Sequence, residues 1–319
     1  MSKEQFVVEV TLDEIPDELV QAETGLEASS TDHANYRGIV LMLAAIVVFA
    51  CMDVLAKYLN RYYPAPGLVW ARYFVHMLLM LALFGRSMGY DLIRSESPRL
   101  QILRGLLLAG STIFYFFALR YLPLAEASAI GFLSPLFVTL LAAPLLGEKI
   151  GVRRWIAVAV GFIGMLIIVR PGGGLLTPAS ALPLGMAVCF STYQIITRKL
   201  SHSENPYTTL FYSALVGTIA LTVVLPFAWK TPTLFHGLLI VVIGVLGGVG
   251  HFMLIRALAH APASVLAPFV YTHLLWAMFF GYVVFGDFPD GWAFIGMLVI
   301  VGSGLFVAYG ERLHLHRLR

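Results

Sequence analysis

Apolar residues fall along this chain in long runs, divided by short stretches of Pro, Gly, Asn and charged residues. Ten runs are legible: Tyr36–Tyr58, Gly67–Phe84, Leu100–Tyr121, Pro123–Leu146, Val152–Arg170, Ala179–Leu200, Pro206–Ala228, Leu234–His260, Pro262–Phe285 and Pro289–Tyr309. Most approach the ~20 residues an α-helix needs to cross a hydrocarbon core. The intervening residues are turn formers, and the loops they make are short, so consecutive helices are predicted to be antiparallel neighbours. The pattern predicts an all-α integral membrane protein with ten transmembrane helices.

Composition agrees. The chain is 59% hydrophobic and 12% charged, with a mean hydropathy of +0.83, whereas a soluble domain carries about 25% charged residues. Cys51 and Cys189 both lie inside apolar runs and form neither a disulfide framework nor a Cys-x-x-Cys motif; they read as small buried hydrophobes.

Charge then orients the chain. Residues 1–35 hold nine of the 18 acidic residues and a single base, Lys3. This segment reads as a disordered or weakly helical tail. It lacks the basic start and cleavage site of a secretory signal, so the first apolar run is expected to be a retained span. Placing the N-terminus in the cytoplasm puts 14 basic residues on that side (Arg37, Arg86 and Arg104 among them) and five on the other: Lys57, Arg61, Arg120, Arg170 and Lys230. The positive-inside rule therefore predicts that both termini are cytoplasmic, which requires an even number of spans. The bases are scattered singly between runs, so no nucleic-acid partner is expected.

The chain also repeats. Phe49, Asp53 and Lys57 recur as Phe190, Gln194 and Arg198 at an offset of 141; Ala118-Leu119 with Pro123 recurs as Ala257-Leu258 with Pro262, and Gly147-Glu148 as Gly286-Asp287, at 139. Two five-helix repeats follow, and because five is odd the second is inverted relative to the first. The expected units are an acidic cytoplasmic tail (1–35), a first repeat (36–170), a second repeat (179–310) and a basic cytoplasmic C-terminus (311–319). Inverted repeats are a common frame for alternating-access carriers, with the substrate near the midplane between the halves.

The stretch Ala118-Leu119-Arg120-Tyr121-Leu122-Pro123-Leu124-Ala125-Glu126-Ala127-Ser128-Ala129-Ile130, followed by Ser134-Pro135-Leu136-Phe137, Gly147-Glu148, Arg154-Trp155, Gly161-Phe162-Ile163-Gly164 and Arg170-Pro171-Gly172, resembles the EamA-type, ten-helix branch of the drug/metabolite transporter superfamily. The second half repeats the motif more loosely. Met52-Asp53 with Lys57 and Arg72 is similar to the subset that includes S-adenosylmethionine and riboflavin importers. The resemblance implies a secondary transporter of a small metabolite in the inner (cytoplasmic) membrane.

Ionisable residues within a membrane are costly and need a reason. Asp53 and Arg72 enter adjacent spans from the same side to about the same depth, at about 1.5 Å per residue, and are expected to pair; Lys57 shares a helix face with Asp53. The pair reads as a gate or a site for a charged substrate group, or as a structural ion pair. Glu126, one turn into span 4, reads as a helix-terminal carboxylate favoured by the macrodipole or as a substrate or proton site. His76, His251 and His273 lie mid-span and read as proton-coupling groups or as hydrogen-bonded packing groups. His273 stands opposite Ser134 in the repeat. Tyr115, Tyr193 and Tyr271 are candidate cavity rings, with Gln194 as the repeat counterpart of Asp53. Gly244, Gly247, Gly248 and Gly250 read as a close-packing helix face that can also slide.

No metal site, cofactor or catalytic group is expected. The partners expected are a small-molecule metabolite and membrane lipid, and a homodimer is left open. A lipid-acting membrane enzyme needs a polar cluster at an interface or large catalytic loops, which the short loops do not provide. An exporter of amino acids or drugs within the same family, and a non-transporting membrane scaffold or sensor, stand as the alternatives.

Overall fold

Proline and polar residues set where the helices begin. The computed structural model describes residues 17–146, 152–169, 178–200, 203–261, 266 and 269–316, and their regular structure is helix alone. The helices are α1 (Asp17–Leu59), α2 (Ala65–Met88), α3 (Pro98–Tyr121), α4 (Leu124–Gly131), α5 (Ser134–Leu146), α6 (Val152–Val169), α7 (Ala181–Leu200), α8 (Pro206–Thr222), α9 (Leu225–Ala228), α10 (Leu234–His260), α11 (Thr272–Phe285) and α12 (Gly291–His316). Proline opens α2, α3 and α8, where its missing N–H costs nothing. Asn205 caps α8 by accepting from the Tyr207 N–H at 2.9 Å, and Asp290 accepts from the Ala293 N–H at 2.9 Å at the start of α12. Gly286, at φ +74°, ends α11 in the left-handed turn that suits glycine.

Among the described residues, five helices are long and apolar enough to cross a membrane: Tyr36–Leu59, Ala65–Leu92, Pro98–Tyr121, Pro178–Thr197 and Leu234–Ala257. Shorter apolar helices cover Leu124–Val138, Trp155–Ile168, Thr272–Phe285 and Gly291–Phe306. Large apolar side chains stand on the outside, among them Leu83, Ile163, Leu238 and Leu298, a surface that suits lipid rather than water.

α1 begins at Asp17, so the first helix extends back through residues 17–35. Two readings of the sequence are revised. The fourth apolar run is two helices, not one. Pro135 has no N–H to offer the Gly131 carbonyl; the Ser134 hydroxyl takes that carbonyl instead, and the chain breaks at Phe132–Leu133. The seventh run likewise breaks between α8 and α9, just before Pro226. Gly147, Glu148, Pro171, Gly172 and Pro262, which carried part of the repeat and motif pattern, lie outside the described residues.

The helix pairings map onto themselves when the halves are exchanged. The repeat matches α1 with α7, α2 with α8, α3 with α10, α4 and α5 with α11, and α6 with α12. α1 packs on α10 as α7 packs on α3; α2 packs on α10 as α8 packs on α3; α11 packs on α1 as α4 and α5 pack on α7. The pairs α2–α8 and α6–α12 map onto themselves. Glycine lets α6 and α12 approach: a methyl group at Gly164 would lie 2.9 Å from the Gly296 carbonyl oxygen, and one at Gly296 would lie 2.6 Å from that of Gly164.

Candidate functional site

Asp53, on α1, is 4% exposed. Its Oδ2 accepts a hydrogen bond from the Tyr115 hydroxyl of α3 at 2.9 Å and stands 3.2 Å from Nε2 of His273 on α11. Tyr115 has one proton and gives it to the carboxylate, so Ser128 of α4, 2.9 Å from the tyrosine oxygen, donates to it. Nδ1 of His273 is buried without a partner, and Phe132 packs edge-on against the ring at 5.9 Å. The chain Ser128–Tyr115–Asp53–His273 thus gathers α1, α3 and α4 from the first repeat and α11 from the second.

The expected pairing of Asp53 with Arg72 does not occur. The spans are neighbours in sequence, but α1 packs on α10 and α11 instead. Arg72 faces α3, where Nη1 donates to the Thr112 hydroxyl at 3.2 Å and the guanidinium lies 4.9 Å from the Tyr73 ring. Lys57 also leaves Asp53, one turn away on α1. Its ammonium donates to Asp287 Oδ2 and to the Leu122 carbonyl, each at 3.0 Å. A cleft of about 270 Å³ opens over this pair, lined by Lys57, Asn60, Arg61, Arg120 and Asp287 among others.

His76 and His251 come together, with ring centroids 6.2 Å apart. His251 donates from Nδ1 to the Gly247 carbonyl at 2.9 Å, since a carbonyl can only accept.

The remaining candidates make other contacts. The Ser134 hydroxyl, at the start of α5, donates to the Gly131 carbonyl at the end of α4, and its own carbonyl accepts from Ser191 at 2.9 Å; it does not reach the Asp53 cluster. Tyr271 packs against Phe132 at 5.4 Å. Glu126 is buried in the first turn of α4. Gln194 is half-buried on α7. The repeat relates Asp53 and His273 to Gln194 and Ser134, so the counterpart of the ionisable pair is neutral.

Tyr193 belongs to a cluster at the opposite end of the bundle, built on a residue placed by its sequence among the loop bases. Arg104 is 2% exposed. It donates to Thr197 Oγ1 (2.8 Å), Gln101 Oε1 (3.2 Å), the Thr209 carbonyl (2.7 Å), Tyr193 Oη (3.3 Å) and Ser213 Oγ (2.9 Å). It fastens α3 to α7 and α8. Its position inside the apolar run from Leu100, three residues after Gln101, was the signal available.

Both halves of the chain match the model of the EamA-like transporter family, over residues 36–170 and 178–309. The chain belongs to that family. This EamA-like protein is 30% identical over 275 residues to the S-adenosylmethionine uptake transporter of Rickettsia bellii (86% of this chain, 94% of that one). It is 30% identical over 290 residues to the riboflavin transporter of Vibrio cholerae (88% and 96%), and 30% identical over 269 residues to the pseudopaline exporter of Pseudomonas aeruginosa (83% and 93%). A solved crystal structure at 20% identity superposes with a TM-score of 0.60 over 89% of this chain and 98% of that one, and shares the fold. The EamA-like chain is therefore a multi-pass membrane protein and a metabolite transporter rather than an enzyme.

Proposed function

We propose that this chain is a ten-span secondary carrier with both termini cytoplasmic. On this reading it imports a small metabolite such as S-adenosylmethionine, riboflavin or a related compound across the inner membrane by alternating access. The observation that carries the reading is the Asp53–His273 contact. It sets an ionisable pair at the seam between two repeats whose packing is exchange-symmetric, the place where a rocking carrier holds its substrate or coupling ion. Asp53 is held by a phenol and an imidazole rather than by Lys or Arg. A cationic substrate group can therefore take the place of His273 against the carboxylate and let the repeats part. Lys57 and Asp287, at the outer end in this orientation, close the mouth that the cleft leads into.

Two relatives are named as an uptake transporter and a riboflavin transporter, and a third as an exporter, so direction needs its own test. Purified protein in liposomes is assayed by counterflow with labelled S-adenosylmethionine, riboflavin and amino acids, with and without a pH step. Saturable uptake of one compound, lost in Asp53→Asn, is the expected result. Uptake that Asp53→Asn leaves intact would remove the Asp53 cluster from the mechanism. Folded protein that moves none of them would point to the scaffold reading or to a substrate outside this set.

A further inference from the structure

Arg72 and Arg104 are both buried guanidiniums, 3% and 2% exposed, and among the described residues neither is within ion-pair distance of a carboxylate. Their surroundings differ. An arginine has five N–H donors, and Arg104 makes five hydrogen bonds to neutral acceptors; it is complete as a structural clamp. Arg72 has the Thr112 hydroxyl and the Tyr73 ring, and its Nε is buried without an acceptor. One turn further along α2 the same deficit recurs. His76 is 3% exposed, shares a helix face with Arg72, and its Nε2 is also buried without a partner.

The wall opposite is backbone. A methyl group on Gly247 of α10 would lie 2.9 Å from Arg72 Nε, and one on Gly248 would lie 3.1 Å from His76 Cδ2. His251, with Nδ1 engaged by Gly247 and Phe49 edge-on at 5.0 Å, closes the side of this bed. A buried cation without a counter-charge is unfavourable unless something compensates it, and two adjacent unpartnered nitrogens reproduce the deficit that a missing anion leaves.

We propose that Arg72 and His76, against the bare backbone of Gly247 and Gly248, form a carboxylate-binding subsite, and that the substrate brings the carboxylate. This rests on the carrier reading above for its occupant. Thr112 fixes one arm of the guanidinium, leaving Nε–H and the other arm to grip a carboxylate side-on, while His76 donates from Nε2. The subsite is shut in this conformation. α2 and α10 belong to different repeats, so the rocking that opens the carrier also opens the subsite.

The test uses full-length protein in detergent and matched ligand pairs: methionine with methioninamide, tryptophan with tryptophanamide, and S-adenosylmethionine with its decarboxylated form, each read by thermal stabilisation. At least one acid is expected to bind roughly 10-fold or more tightly than its partner, as a charge-assisted pair does. Arg72→Gln should bring that ratio to about one without weakening the partner, and Arg72→Lys should keep part of it. His76→Phe should weaken the acid alone by roughly 3–10-fold, the loss of one hydrogen bond, and serves if Arg72→Gln does not fold. Wild-type protein that prefers no acid in the panel, or an acid preference that survives both Arg72→Gln and His76→Phe, overturns the subsite. Counterflow on the same pairs separates the two readings. Uptake without acid preference removes the subsite and leaves the carrier; acid-selective binding without uptake does the reverse.

Discussion

His273 of α11 places Nε2 3.2 Å from Oδ2 of Asp53 on α1, a contact that ties the second repeat to the first. The asparagine of Asp53→Asn still accepts from Tyr115 but carries no charge to attract a cation. The variant is expected to stay folded and to lose counterflow activity by at least roughly 10-fold, the loss of a charge-assisted contact. Asp53→Ala removes the acceptor as well, and is expected to lower stability by roughly 3–5 kcal/mol, the cost of breaking a buried pair on one side. Size-exclusion profiles and thermal melts beside the uptake assay separate the two effects.

Lys57 and Asp287 meet at 3.0 Å, but the aspartate side chain is 38% exposed. Water and salt screen such a pair, and its coupling in a double-mutant cycle with Lys57→Met and Asp287→Asn should be small, roughly 0.2–1 kcal/mol. On the proposed gating role, the functional effect is expected to be larger than the thermal one. Lys57→Glu alone should slow counterflow, and the added Asp287→Lys should recover it. Failure of the swapped pair to recover, with both variants folded, would assign Lys57 to its other bond, the Leu122 carbonyl.

Arg104 predicts the opposite balance. Lysine keeps the charge but cannot reproduce five hydrogen bonds in a planar fork. Arg104→Lys is therefore expected to lower the melting temperature markedly, each buried group left unpaired costing about 1–3 kcal/mol, while substrate affinity in the surviving folded protein is unchanged. Affinity that falls with stability would make the Arg104 cluster part of the site.

Much of this was legible in the chain. Run lengths located the helices, because a bilayer fixes how long an apolar helix must be, and Pro64, Pro98, Asn205 and Gly286 marked their ends. Asp53, Tyr115 and His273 could be named because an ionisable or hydroxyl group inside an apolar run has few reasons to be there. What could not be read was the choice of partner. Sequence neighbourhood pointed Asp53 to Arg72, but in an exchange-symmetric bundle α1 packs on helices of the other repeat, and no local pattern states which. Arg104 escaped for a related reason. A base near the start of a run looks like a loop anchor until α7 and α8 are seen to bring Thr197, Thr209 and Ser213 around it.

The approach of α6 to α12 gives the last prediction, because it contrasts residues of one type. Gly164 and Gly296 face each other's carbonyl oxygens at distances a methyl group cannot accept, whereas Gly302, also on α12, has nothing within 4 Å of where its methyl would stand. Alanine at Gly302 only removes chain entropy from an exposed helix position, and should stabilise by about 0.5–1 kcal/mol. Alanine at Gly164 or Gly296 must push two backbones apart, and should destabilise by roughly 1–3 kcal/mol, as overpacking does. A denaturant titration in mixed micelles reads all three. Because each of the two facing glycines already forces the separation, the double variant Gly164→Ala/Gly296→Ala should cost less than the sum of the singles; full additivity would mean that the two helices do not meet at these residues.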